Sequence, residues 1–196
     1  MRTARILCLS VLVAACGPTL APAAIGSPVD SPSSVASAPR IEQPPVSPPA
    51  PPGTNLPAFA CANASGGKTG VANAVTARVA ENIGYDRFVL QFDSTVPSYT
   101  VKRQATPTFP SGASGQTVTL SGTSGVLVDV QTATGANTFT GSNDLTHGEY
   151  LVLKEARQTQ DFEGHLSWGL GLGKPACMRV FTLNDPARLV VDFSTT

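Results

Sequence analysis

The strongest constraint on this 196-residue chain is a hydrophobic period of two that recurs along its second half. Phe88, Leu90 and Phe92 alternate with Arg87, Val89, Gln91 and Asp93. Val118 and Leu120 alternate with Thr117 and Thr119, and Val126, Val128 and Val130 with Leu127 and Asp129. Leu166, Trp168, Leu170 and Leu172 alternate with Ser167 and three glycines, and Leu189, Val191 and Phe193 with Arg188, Val190 and Asp192. Successive side chains of a strand point to opposite faces, so each run reads as a half-buried strand. Ser-Gly pairs at 111, 114, 121 and 124, and Asn184-Asp185-Pro186, supply turns between them. The pattern predicts an all-β domain of eight or nine strands, an antiparallel β-sandwich or a closed, barrel-like sheet. Helix signals are sparse: residues 70–79 hold one short turn at most, and 76–81 fit a first strand equally well. Residues 134–148, rich in Asn, Gly and Thr around Phe139, exceed the usual connection length and read as an edge insertion or a binding loop.

This head occupies residues 61–196, long enough for one domain with a real core, and holds every aromatic residue except Phe59. What precedes it is different in kind. Residues 17–60 carry 12 of the 17 prolines and only three charged side chains, Asp30, Arg40 and Glu42. Such a stretch cannot bury enough apolar surface to offset its ordering entropy, so it is expected to be a disordered, extended tether. The chain opens with Arg2 and Arg5 and an apolar run from Ile6 to Ala15, a leader too short to remain as a membrane span. Val13-Ala14-Ala15-Cys16 resembles the lipobox of bacterial lipoproteins, which implies cleavage after residue 15 and a lipid on Cys16. The alternative is ordinary signal cleavage near Ala21-Pro22-Ala23, giving a secreted protein. Either way Cys8 is removed and the head is extracytoplasmic.

Export shapes the reading of the remaining cysteines. Cys61 and Cys177 are expected to be bridged in an oxidising compartment. Closing a loop of more than 100 residues contributes about 4 to 5 kcal/mol on the chain-entropy argument.

Several motifs tempt and fail. Gly67-Lys68-Thr69 mimics a nucleotide loop, but the residue five before Gly67 is Ala62 and no strand of adequate length precedes it. "GLGLG" at 169–173 lacks the dinucleotide fingerprint's last glycine and runs into Lys174-Pro175. Its alternating glycines instead leave one strand face bare, so that backbone or ligand can come close. No Gly-x-Ser-x-Gly is present. His147 and His165, the only histidines, form no short-spaced metal pair. Asp161 and Glu163, two apart, would share one strand face about 7 Å apart, as carboxylates on any solvated strand do. Without Arg2 and Arg5 the charge is 11 basic to 13 acidic and carries no basic block, which excludes a nucleic-acid surface. No cofactor, metal or nucleotide is expected.

"YDRFVLQFD" (85–93), "DFEGHLSWGLGL" (161–172) and "RVFTLNDPARLVVDF" (179–193), with "YTVKRQ" (99–104) and "VLVDV" (126–130), resemble the AMIN-like domain over residues 72–195. That domain occurs in secreted proteins and lipoproteins of actinobacteria. The resemblance implies a sandwich related to AMIN domains, which accompany cell-wall amidases or secretins and are thought to localise them on peptidoglycan. Asp86, Arg87, Asp161, Glu163, Arg188 and Asp192 match the family's recurrent polar positions, to which no role is assigned. The expectation is therefore a non-catalytic module that binds cell-wall glycan or an envelope protein, with Phe162, Glu163, His165, Tyr150 and Arg188 as the candidate surface. Trp168 shares its face with three leucines and is expected in the core. A structural role in an envelope complex, through an exposed sheet edge, is the second reading; a cell-wall hydrolase is the third.

Overall fold

A computed structural model describes residues 55–112 and 115–196; the leader, Cys16 and the tether up to residue 54 lie outside the described residues. The described residues form thirteen strands. In chain order they are β1 (Ala64–Gly66), β2 (Ala72–Asn82), β3 (Tyr85–Phe92), β4 (Tyr99–Gln104), β5 (Thr108–Ser111), β6 (Gln116–Thr119), β7 (Ser124–Gln131), β8 (Ala133–Thr134), β9 (Asp144–Thr146), β10 (Leu153–Phe162), β11 (His165–Leu172), β12 (Met178–Leu183) and β13 (Arg188–Ser194). Eight of them span six residues or more, and those carry the two layers. Of the short remainder, only β6 follows an alternation read in the sequence, that of Val118 and Leu120 with Thr117 and Thr119. The first sheet has the order β1-β4-β7-β11-β10-β9, the second β12-β13-β3-β2-β8, and β5-β6 is a separate hairpin. The architecture is a sandwich rather than a closed barrel. Pairing is antiparallel throughout these sheets except between β2 and β8.

The period-two residues meet between the layers. Phe88, Leu90 and Phe92 of β3 and Leu189, Val191 and Phe193 of β13 face Val126, Val128 and Val130 of β7 and Leu166, Trp168, Leu170 and Leu172 of β11. Trp168 is fully buried, its ring 5.5 Å from Phe88 and 5.7 Å from Phe139. Each such aromatic ring contributes about 1 kcal/mol of contact beyond its buried area. Strand β2 runs from Ala72 through 76–81, so 70–79 holds no helix.

The bare glycine face of β11 is covered by the chain itself. Hairpin β5-β6 lies over it, with Phe109 fully buried against Gly169 and Gly125. A Cβ on Gly169 would stand 2.6 Å from the Phe109 ring, and one on Gly171 would strike the Ser121 carbonyl. Glu155 of β10 secures the hairpin's return by accepting from the Ser121 amide and hydroxyl, both at 2.8 Å.

The 134–148 stretch is an edge insertion. A register shift between Ala74 and Thr76 leaves the Val75 carbonyl free of the β2-β3 ladder, and the Thr140 amide takes it at 2.8 Å. Thr138 donates to the Ala74 carbonyl, the Gly135 amide donates to Asp161, and Phe139 packs into the core beside Trp168.

The start of the domain acts as a clasp. Ala60 pairs with Met178 through two backbone bonds of 2.8 and 3.0 Å, and Cys61 is disulfide-bonded to Cys177 across 116 positions of sequence. Asn63 then accepts the Arg103 amide, and β1 adds to the edge of β4. Residues 60–66 thus leave the β12 edge of the second sheet and join the β4 edge of the first.

Candidate functional site

The outward positions of the second sheet assemble a network of arginines and aromatic rings. Alternation along β3 puts Tyr85, Arg87, Val89 and Gln91 outside, and register places Asp192 of β13 opposite both Arg87 and Arg179 of β12. Asp192 is fully buried although it lies on an outer face. Arg87 donates to it through Nε at 2.6 Å and Nη2 at 2.9 Å, and Arg179 through Nε at 2.7 Å. The hydrogen bond to Asp192 holds the Arg87 pKa above its ordinary value, so that cation is permanent. Rings complete the layer. The Arg179 guanidinium lies 4.6 Å over Phe59 and 4.7 Å over Tyr85, and that of Arg87 lies 5.0 Å over Tyr85 and 5.6 Å over Phe181. These distances fall within the cation–π range. With Arg78 and Arg188, the outward positions of β2, β3, β12 and β13 carry four arginines against the single carboxylate of Asp192. The face has no group poised for proton transfer. It offers flat rings and fixed guanidinium donors, the equipment of binding.

A second surface forms where β10 turns into β11. Glu163 and Gly164 have φ of 50° and 76°, the double positive φ of a type I′ hairpin, and Phe162 and His165 are paired across it. Phe162 is 48% exposed. Ser167 and His165 of β11 share an outer face with Asp129 of β7, which contains the ingredients of a hydrolytic triad in the wrong wiring. The Ser167 hydroxyl donates to Asp129 at 2.9 Å, His165 Nδ1 lies 3.6 Å from the same carboxylate, and no hydrogen bond joins Ser167 to His165. A nucleophilic serine needs the imidazole as its base, so the cluster is unsuited to acyl transfer.

The residues singled out in the sequence are therefore divided among three places. Phe162, Glu163 and His165 stand together at this hairpin. Tyr150 lies before β10, ten strand residues or about 30 Å away, stacked on His147 at 4.5 Å. Arg188 is on the outer face of the other sheet, its Nε donating to the Pro186 carbonyl. Asp161 and Glu163 do not share a strand face: Asp161 accepts the Gly135 amide, whereas Glu163 sits exposed in the turn. The Gly67-Lys68 stretch leads into β2 without a helix, the Lys68 amide donating to the Val96 carbonyl. Among the described residues, no group of three or more His, Cys, Asp or Glu is arranged to hold a metal ion.

Four of the six recurrent polar positions, Asp86, Arg87, Asp161 and Asp192, have structural work. Asp86, fully buried, accepts the Val152 and Leu153 amides at 2.7 and 2.9 Å and ties the entry of β10 to β3. Asp192, accepting from both Arg87 and Arg179, holds three strands in register, and Asp161 anchors the edge insertion. Phe59, Tyr85, Arg179 and Phe181 were invisible as a set, because only cross-strand pairing unites them. The one available signal was the alternation of Arg179 and Phe181 with Val180, which is half-buried against the core.

The AMIN-like domain family matches residues 72–195, from the first residue of β2 to just beyond β13. No curated protein matches the chain. The domains of this family are non-catalytic binding modules, and the geometry of both surfaces agrees with binding rather than catalysis. On its fold and on a match covering most of its length, the chain belongs to the AMIN-like domain family.

Proposed function

We propose that this protein is an extracytoplasmic envelope lipoprotein whose domain, residues 61–196, binds cell-wall glycan through the outer face of the second sheet. Residues 1–15 direct export and Cys16 carries the lipid, as in the actinobacterial lipoproteins the sequence resembles. Residues 16–60 space the domain from the membrane, except that the last two, Phe59 and Ala60, are docked on it. One observation carries the glycan reading: Arg87 and Arg179, locked by Asp192, lie among the rings of Phe59, Tyr85 and Phe181. Rings of this kind stack on the C–H faces of sugars, and guanidinium edges donate to hydroxyl, amide and carboxylate oxygens. Because Asp192 fixes both arginines in advance, little side-chain entropy is lost on binding.

The test is sedimentation of the full chain with purified peptidoglycan, in detergent, beside a Phe181→Ala, Tyr85→Ala double variant. Retention that falls by about tenfold or more in the variant supports the site. Absence of retention with co-purification of an envelope protein would replace it with the assembly reading. Mass spectrometry of the mature N-terminus tests the anchor: a diacylglyceryl Cys16 is expected, and cleavage near Ala23 would make the protein secreted.

A further inference from the structure

Away from both surfaces, the inter-sheet core opens at one end of the sandwich into a cavity of about 400 Å³, within the size range of small-molecule sites. Its origin is in the alternation. Tyr99, Val101 and Arg103 are the inward positions of β4, and Ser124 and Val126 those at the start of β7, so the last inward places on both strands are polar. Val126 and Leu172 form an apolar floor, and Ala176, beside the disulfide, closes the opposite wall. Arg103 Nη1 donates to the Cys61 carbonyl at 2.9 Å, which fixes the guanidinium, while its Nε and Nη2 have no partner among the described residues. The Ser124 hydroxyl is buried and also has no hydrogen-bond partner. No acidic side chain lines the space.

We infer that this cavity is a second binding site, for a small monocarboxylate with an apolar body, such as the C-terminal end of a short peptide of small residues. One preorganised guanidinium with two open donors matches one carboxylate, and the floor takes the apolar part. A cation meets like charge there. A neutral ligand leaves Arg103 desolvated without a counter-charge, which disfavours it. The site is independent of the glycan face and stands or falls without it.

The test is an NMR titration of the full chain with N-acetyl-alanyl-alanine and with its C-terminal carboxamide. The acid is expected to shift the amides of Arg103, Gly125, Val126 and Ala176 and to bind at least about tenfold more tightly than the carboxamide. Arg103→Gln is expected to erase that preference. Ala105→Trp, an exposed position at the mouth, is expected to block the acid while the spectrum of the second sheet stays unchanged. Should Arg103→Gln disturb the clasp, Ala105→Trp carries the test alone. Equal affinity for acid and carboxamide, shifts that map outside the cavity, or none up to about 10 mM would overturn the assignment.

Discussion

Asp192→Ala probes the network that the outer face of the second sheet depends on. The carboxylate is fully buried and accepts three charge-assisted hydrogen bonds of 2.6 to 2.9 Å. Its removal leaves the Arg87 and Arg179 guanidiniums flanking an empty position, with side chains only 25% and 13% exposed. Breaking a buried pair in this way costs about 3 to 5 kcal/mol, and the partial exposure of Arg87 places the loss near the lower end, about 3 kcal/mol. Asp192→Asn keeps the shape and one acceptor and loses about 2 kcal/mol. Urea unfolding of the full chain, followed by the fluorescence of Trp168, reads both, since that residue is the only tryptophan and is fully buried. With a urea dependence of about 2 kcal/mol per molar, the Asp192→Ala midpoint falls by about 1.5 M. The triple change Arg87→Met, Arg179→Met, Asp192→Leu is expected to recover most of that loss, because apolar residues of similar volume carry no desolvation penalty. A single-variant loss under about 1 kcal/mol, or a triple variant as unstable as the single, would refute the account.

Three further outcomes are expected. Gly169→Ala drives a methyl to within 2.6 Å of the clamped Phe109 ring and should cost about 1 to 3 kcal/mol in the same unfolding assay; in a Phe109→Ala background the added cost should nearly vanish. Loss of the disulfide by Cys61→Ala, Cys177→Ala should lower stability by about 4 to 5 kcal/mol for the 116-position loop, less if the unlinked unfolded chain stays compact, and a drop below about 1 kcal/mol would contradict it. Asp93 is held below its ordinary value of 3.8 by the backbone amide and then the side chain of Asn73. Its stabilisation is therefore fully present above pH 3.8 and is lost as pH falls through the lower folded value; Asp93→Asn should flatten the acid limb of the stability profile there, and an unchanged limb would refute this.

The layers of the sandwich were legible because burial on one face forces a period of two: Phe88, Leu90 and Phe92, or Val126, Val128 and Val130, have no other economical explanation. Trp168 was readable as core for the same reason. The shortest strands were not, unlike β6 with its alternating Val118, since two or three residues such as Ala133 and Thr134 show no period and are strand only because β2 passes beside them. The β10-β11 turn was missed because its glycine is preceded by Glu163, a residue seldom found at positive φ. The arginine–aromatic face eluded the sequence because register, not spacing, puts Arg179 beside Asp192 and Phe59 beside Arg179. The glycine run was correctly seen as an invitation to close approach, but what approaches, Phe109, comes from sixty residues earlier.

The position of the clasp decides how the domain responds to tension on its leading chain. A pull applied ahead of Ala60 can peel away two backbone bonds to Met178, after which it meets the covalent link at Cys61. From there the load passes to Cys177 at the root of β12 and, through Arg103 and Asn63, to the border of the opposite layer. Force is thus shared across both layers rather than unravelling the edge one strand at a time, and reducing agent should turn a mechanically stubborn domain into one that yields from its first strand.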